Sequence, residues 1–259
     1  MLITPNRNDL NKIVILNPKG GCGKTTLATN LASYYAGRGG PVPAVMDCDQ
    51  QGSTMRWLEK RPCSQPPIHG IAAYKNSMQA TRSWQLRVPN ETTSLIVDSA
   101  ASLSHDDLRE ITRDATSILV PVLPSAIDIH AASHCIADLL LVAKIDRRDR
   151  KLAVVANRTR RNTKSFEKLM SFLDTLGISV IAVMRDSQNF VHAAAEGIGV
   201  CEMPLHRAGK DIEQLQLIIE WLDDWENRRH HAMPTGTYPE PNAANVTVLH
   251  KSQFGSSHN

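Results

Sequence analysis

Hydrophobic residues in the first 228 positions fall into short unbroken runs separated by longer stretches of helical period. The runs are Ile13–Leu16, Val42–Met46, Leu95–Val97, Ile118–Val122, Leu152–Ala156 and Val180–Val183. Each is β-branched and continuous rather than alternating, as expected of parallel strands buried on both faces. Between them the 3.6-residue period predicts helices over Lys24–Ala36, Asp106–Asp114, Ala126–Lys144, Ser165–Leu176, Asn189–Ala195 and Asp211–Asn227. Regular strand–helix alternation predicts an α/β fold, a doubly wound, mostly parallel sheet with helices on both faces. No repeat or linker interrupts the pattern, so residues 1–228 are expected to form one domain.

Beyond residue 228 the pattern stops. Residues 229–259 are rich in Pro, Gly, Asn, Ser and His, and read as a flexible tail, with Val246–Leu249 the one short strand candidate. The tail's Asn245-Val246-Thr247 matches a glycosylation acceptor, which chance explains in a chain that reads as cytoplasmic.

Composition narrows the class further. The chain has 259 residues, 42% hydrophobic and 21% charged, with a net charge of +3. These values exclude a disordered polyampholyte, and no apolar run approaches the roughly 18–20 residues of a membrane span. The polar start of the chain carries no secretory h-region. Five scattered cysteines (Cys22, Cys48, Cys63, Cys135, Cys201) form no Cys-x-x-Cys pair, so neither a disulfide framework nor a zinc or iron–sulfur site is expected. His130 and His134 have a metal-compatible i, i+4 spacing but no evident third ligand. Trp221 and Trp225, also i, i+4, are expected to bury one face of the last helix.

The strongest chemical signal follows the first strand: Pro18-Lys19-Gly20-Gly21-Cys22-Gly23-Lys24-Thr25-Thr26. Strand, glycine-rich turn and helix is the setting of a phosphate-binding loop, in which backbone N–H groups and a helix dipole converge on an anion. Lys24 is placed to reach β- and γ-phosphates and the Thr25 hydroxyl to ligate Mg2+. Lys19 is a second cation on the same loop, with little room beside Lys24 on one terminal phosphate. Its spacing leaves two readings open, a solvated lysine or a side chain reaching a nucleotide held by another subunit. Two carboxylates, Asp47 and Asp49, follow the second strand at i, i+2 and project to one side. Asp98 ends the apolar strand Leu95-Ile96-Val97, in the form of a Walker B element.

These motifs, in this order, resemble the deviant Walker A loop and switch elements of the ParA/MinD ATPases, over most of residues 12–228. The resemblance implies a P-loop NTPase fold and a slow ATP hydrolase with ATP and Mg2+ as cofactors. It implies that Lys19 crosses an ATP-sandwiched homodimer, that Asp49 orients the attacking water and that Asp47 supports the Mg2+ shell held by Thr25 and Asp98. Gly20, Gly21, Cys22, Gly23, Lys24, Thr25 and Thr26 are then the phosphate cradle, Asn157 contacts adenine and Pro204 packs on the base. Gln50 stands where the family's switch usually has proline, and Ser99-Ala100 where it has Thr-Pro.

Partners follow from the same resemblance and from charge. Ten lysines and arginines against three acids between residues 144 and 168 leave +7, while the whole chain carries +3. Such segregation is the footprint of a polyanion, and predicts sequence-independent binding of double-stranded DNA through Arg158, Arg160, Arg161 and Lys164, with Arg185, Arg207 and Lys210 beside them. The resemblance adds a ParB-like or McdB-like stimulating adaptor, a nucleoid-associated location and a cargo: plasmid, chromosome region or a protein body such as a carboxysome. A MinD-like membrane-surface ATPase would need a basic amphipathic helix after residue 228, which the Pro- and Gly-containing tail cannot supply. A third reading, a P-loop metabolite kinase or synthetase, is disfavoured by Lys19 and the Asp47/Asp49 pair. Only 11 residues precede the first strand as the sequence stands, too few for a helix-turn-helix module.

Overall fold

The computed structural model describes residues 10–75, 88–160, 162–175 and 177–230. In chain order these form β1 (Asn11–Ile15), α1 (Lys24–Gly37), β2 (Ala44–Asp47), α2 (Ser53–Glu59), β3 (His69–Ala72), β4 (Ser94–Asp98) and α3 (His105–Thr112). There follow β5 (Ser117–Val122), α4 (Ala126–Leu141), β6 (Leu152–Thr159), α5 (Lys164–Thr175), β7 (Ser179–Arg185), α6 (Gln188–Glu196), α7 (Leu205–Asp223) and α8 (Trp225–His230). The seven strands make one sheet in the order β3-β2-β4-β1-β5-β6-β7, and every pair is parallel.

The continuous apolar runs are explained by two cores, one on each face. Val14, Val97, Val120 and Val154 point to one side with Ile111, Ile136, Leu139 and Leu169 of α3, α4 and α5. Ile13, Ile15, Ile96, Leu119 and Val155 point to the other, against α1, α6 and α7. The five inner strands are apolar at both parities because neither face meets water, whereas the edge strands β3 and β7 are only partly buried.

The chain crosses the sheet in opposite directions on the two sides of β1, so a crevice opens beyond the carboxyl ends of β1, β4 and β5. The phosphate loop, Asp47, Asp49, Asp98 and Asn157 all follow or end strands at that end. Two elements were not anticipated, β3 and α2, and several helix ends moved. Helix α4 stops at Leu141, before Lys144 turns to φ +55°, and α3 stops at Thr112, before Asp114 at φ +57°. The last long helix starts six residues early, with Pro204 as N-cap, and breaks at Asp224 before α8 carries the chain to His230. The tail candidates, Val246–Leu249 included, lie outside the described residues.

Candidate nucleotide site

The loop after β1 is shaped by two left-handed glycines, Gly21 at φ +77° and Gly23 at φ +100°. Gly23 is the N-cap of α1 and makes no side-chain cap, so the N–H groups of the first turn and the helix dipole face the loop. Lys24 is buried, and its Nζ donates to the carbonyls of Asn17 at 3.0 Å and Lys19 at 3.2 Å. The ammonium is thus folded inside the curve of its own loop. Lys19 stands exposed on the outer limb. One loop therefore carries one buried cation and one exposed one.

Asn17, which sequence reasoning missed, holds that limb in place. Its Nδ2 donates to the Pro121 carbonyl of β5 at 2.7 Å, and its Oδ1 accepts from the Lys19 N–H at 2.8 Å. A buried Asn directly after an apolar strand was the available signal, since a buried amide needs partners on both ends.

Asn157, at the carboxyl end of β6, is tied to the phosphate loop. Its Nδ2 donates to the Cys22 carbonyl at 2.8 Å and its Oδ1 accepts from the Arg158 N–H at 2.9 Å. The amide braces the glycine loop rather than standing clear of it. A Cβ on Gly23 would lie 2.1 Å from Asn157 Nδ2. Gly23→Ala is therefore expected to combine this clash with a strained φ and to cost about 1–3 kcal/mol of stability. Asn157→Gly in the same chain should recover the clash but not the strain, a split that urea unfolding of the single and double variants would resolve. Cys22 is fully buried, and burial raises its thiol pKa, so it serves as a small loop side chain. Pro204 is exposed at the start of α7.

The carboxylates close the other side of the crevice. Asp47 and Asp98 are register partners on adjacent strands, and both are buried. Asp98 Oδ2 accepts from the Thr25 hydroxyl at 2.7 Å and from the Thr54 hydroxyl at 2.8 Å, while Asp98 Oδ1 is buried with no partner. Burial pushes the Asp98 carboxyl up to about 6, with the two hydroxyls opposing the rise. An orphaned carboxylate oxygen beside the Thr25 hydroxyl fits a hard cation that takes few protein ligands and keeps waters. Among the described residues no three His, Cys, Asp or Glu side chains converge, which is consistent with such a site and not with a closed metal cage. His130 and His134 face each other, Nε2 to Nε2 at 3.2 Å, as an exposed pair on α4.

Asp47 is committed to backbone. Its Oδ1 accepts from the Asp49 N–H at 3.1 Å, and its Oδ2 from Thr54 at 3.0 Å and Met55 at 3.1 Å. Burial raises its pKa and these three N–H groups oppose the rise. It therefore caps α2 from a distance, six residues before the helix starts, which explains how so short a helix lacks a local side-chain cap. Asp49 is half-buried, and its Oδ1 accepts from the Gln51 N–H at 2.9 Å.

The basic segment 144–168 is not one surface. Strand β6 runs through its middle, and eight residues at about 3.3 Å each separate its halves by roughly 25 Å. Lys144, Arg147, Arg148, Arg150 and Lys151 lie at the amino end of β6, away from the crevice; Arg158, Arg160 and Lys164 lie at the carboxyl end, on the crevice side. Arg158 and Arg160 are exposed and share Asp186, at 3.5 and 2.8 Å. Arg161 lies outside the described residues. Arg185 must be corrected. Its guanidinium holds Asp211 in two bonds, 2.6 and 2.9 Å, and that carboxylate is fully buried. Burial alone would raise the Asp211 pKa, yet bonds from Arg185, Asn189 and Ser187 hold it below its usual value, so a phosphate would have to displace a buried partner. Arg207 is exposed and contacts His192 Nδ1 at 2.6 Å, and Lys210 is exposed one turn further on.

Among the described residues no helix is long and apolar enough to cross a membrane. The chain is 27% identical over 195 residues to the maintenance of carboxysome distribution protein A of Halothiobacillus neapolitanus, spanning 74% of this chain and 87% of that protein. Its fold is similar to a plasmid partition protein of Borrelia burgdorferi bound to AMPPNP (TM-score 0.65, 12% identity, 82% of this chain and 99% of that one). It is also similar to apo McdA of Cyanothece (TM-score 0.62, 15% identity, 81% and 99%). Residues 13–200 match the family model of the CobQ/CobB/MinD/ParA nucleotide binding domain. With the phosphate loop, the switch carboxylates and the parallel sheet all inside that match, the chain belongs to this family of nucleotide-binding domains.

Proposed function

We propose that this protein is an ATPase that dimerises when it holds ATP, binds DNA irrespective of sequence in that state, and positions or partitions a cargo, with hydrolysis stimulated by a partner protein. The observation that carries this reading is the division of labour on one loop. Lys24 is turned inward onto the loop carbonyls, where it meets the chain's own phosphates. Lys19 is exposed on the outer limb, where it serves a second copy.

Asp98 and Thr25 are the residues that would hold Mg2+, which when bound neutralises charge on the phosphate oxygens. Around it the chain's own groups divide the work. Loop N–H groups cradle the phosphates, Asp49 orients the attacking water, and Asp47 keeps α2 docked so that Asp49 is held in place. Asn157, fixed on the loop, and Pro204 are the candidates to frame the base. Arg158, Arg160, Arg161, Lys164, Arg207 and Lys210 supply phosphate contacts to DNA on the crevice side, so that dimerisation would place two such patches together. The relatives named for carboxysome distribution favour a protein body as cargo, with an McdB-like adaptor. The nucleotide domain extends over residues 1–228 and the remainder acts as a tail.

Lys19→Ala is expected to abolish the dimer formed with a non-hydrolysable ATP analogue while the monomer still binds nucleotide through Lys24. Analytical ultracentrifugation with and without the analogue reads this directly. A variant dimer as stable as wild type would overturn the trans-acting lysine, and a wild-type chain that never dimerises would overturn the function.

A further inference from the structure

Asp98 Oδ2 receives two hydroxyls from different parts of the chain. Thr25 comes from the phosphate loop, but Thr54 comes from α2, seven residues after Asp47. Thr54 is completely buried, and it is bonded at both ends: its Oγ1 donates to Asp98 Oδ2 at 2.8 Å and its backbone N–H donates to Asp47 Oδ2 at 3.0 Å. One residue therefore ties together the carboxylates that end β2 and β4. It also sits just past the turn in which the Gly52 N–H donates to the Asp49 carbonyl at 2.8 Å, so its position is passed to Asp49 through a short stretch of backbone.

We propose that Thr54 is a positioning residue: through its hydroxyl it fixes the rotation of the Asp98 carboxylate, with Oδ1 towards the crevice, and couples occupancy of that site by a divalent cation to the placement of α2 and Asp49. The inference rests on the nucleotide-site reading above. The terminal torsion of an aspartate is broad, so one donor on Oδ2 leaves the carboxylate free to turn, whereas two donors from opposite walls define its plane. Oδ1 is thereby held buried and unpartnered, poised for an electropositive partner. In the reverse direction, any rotation of Asp98 toward a cation pulls on α2. That helix is short, and its first buried turn is held by the two N–H bonds to Asp47, with Arg56 bonding the Gln51 carbonyl and the Ser53 hydroxyl on its exposed side. Nothing in the local sequence marks the role, because Thr54 reads as an ordinary helix residue until the strand-to-helix turn brings it beside β4.

Two variants test this. Thr54→Val keeps the branched shape and removes only the hydroxyl, and Thr54→Ser keeps the hydroxyl. Binding of a fluorescent ATP analogue is titrated against free Mg2+, and hydrogen exchange of residues 49–59 is followed in the nucleotide-free protein. Thr54→Val is expected to raise the Mg2+ midpoint about tenfold and to speed exchange at the Thr54 and Met55 amides, with nucleotide affinity at saturating Mg2+ close to wild type. Thr54→Ser should return both readouts to within about twofold of wild type. A Mg2+ midpoint and exchange rates in Thr54→Val equal to wild type would overturn the inference. So would a lowered melting temperature with no shift in the Mg2+ midpoint, or a serine variant that fails to restore it. Exchange is read without nucleotide, so it decides on Thr54 even where the wild-type chain binds no ATP analogue, a result that would instead overturn the proposed function.

Discussion

Asp98→Asn is expected to erase a pH-dependent loss of stability in the metal-free protein and, in the same change, to abolish Mg2+-dependent ATP turnover. Burial pushes the Asp98 carboxyl up to about 6, from its ordinary value of 3.8. The native state therefore keeps this proton over a range where the unfolded chain has already released it. A raised carboxyl of this kind gives stability that is present at low pH and is lost as pH rises from about 4 to about 6, after which the loss is constant. Two units at 1.36 kcal/mol each make that loss about 3 kcal/mol. Asparagine has nothing to titrate and keeps an acceptor for Thr25 and Thr54. Stability of the variant relative to wild type should thus improve by about 2–3 kcal/mol between pH 4 and pH 7.5 in chelator, as urea unfolding at the two pH values would show. A difference that stays flat with pH would mean that Asp98 is not desolvated in the way the structure requires. The turnover arm follows from chemistry alone: a neutral amide cannot replace the anionic carboxylate beside the Thr25 hydroxyl as a ligand for Mg2+.

Reversing charge at Arg158, Arg160 and Arg161 is expected to remove binding to random duplex DNA while leaving nucleotide-dependent dimerisation intact. Arg158 and Arg160 are exposed at the carboxyl end of β6, and among the described residues Asp186 offsets them both. Surface pairs of this kind exchange readily for phosphate, because they contribute at most about 1 kcal/mol. Binding that consists of phosphate contacts loses about 0.9 in the slope of log affinity against log salt for each contact removed. Three arginines turned to glutamate should therefore flatten the slope by two to three, as fluorescence anisotropy at several salt concentrations would measure. The same affinity and slope as wild type would leave the crevice-side cluster a solvated face. Arg185→Ala should behave quite differently, lowering stability through the buried Asp211 it leaves unpaired.

The sheet and the phosphate loop were legible in the sequence for a common reason. Five of the strands are buried on both faces, so each writes an unbroken apolar run, and the loop needs glycines that few other structures need. Strand β3 (His69–Ala72) is only half-buried at the edge of the sheet, and Gly70 is small because Leu58 and Met55 of α2 occupy the space of its side chain. Neither fact leaves a run to read. Helix α2 buries just Thr54 and Trp57, and its capping carboxylate lies on the preceding strand. Local signals could not reveal it. The basic segment misleads for the opposite reason: adjacency along the chain is not adjacency in space once a strand of eight residues separates the two groups. Asn157 shows the remaining gap, since nothing local to an amide at a strand end foretells that it also braces the loop through the Cys22 carbonyl.

At the far end of the molecule, Arg228 is buried, lies over the Trp221 ring at 3.8 Å, and donates to the Ser117 hydroxyl at 3.0 Å. Ser117 begins β5, so this clasp pins the end of α8 at the pole opposite the phosphate loop. A fluorophore, affinity handle or fused domain attached after His230 would therefore leave from the rear of the domain, about a strand's length from the surfaces assigned here to ATP, the second copy and DNA. Labelled protein should report on all three without standing in their way.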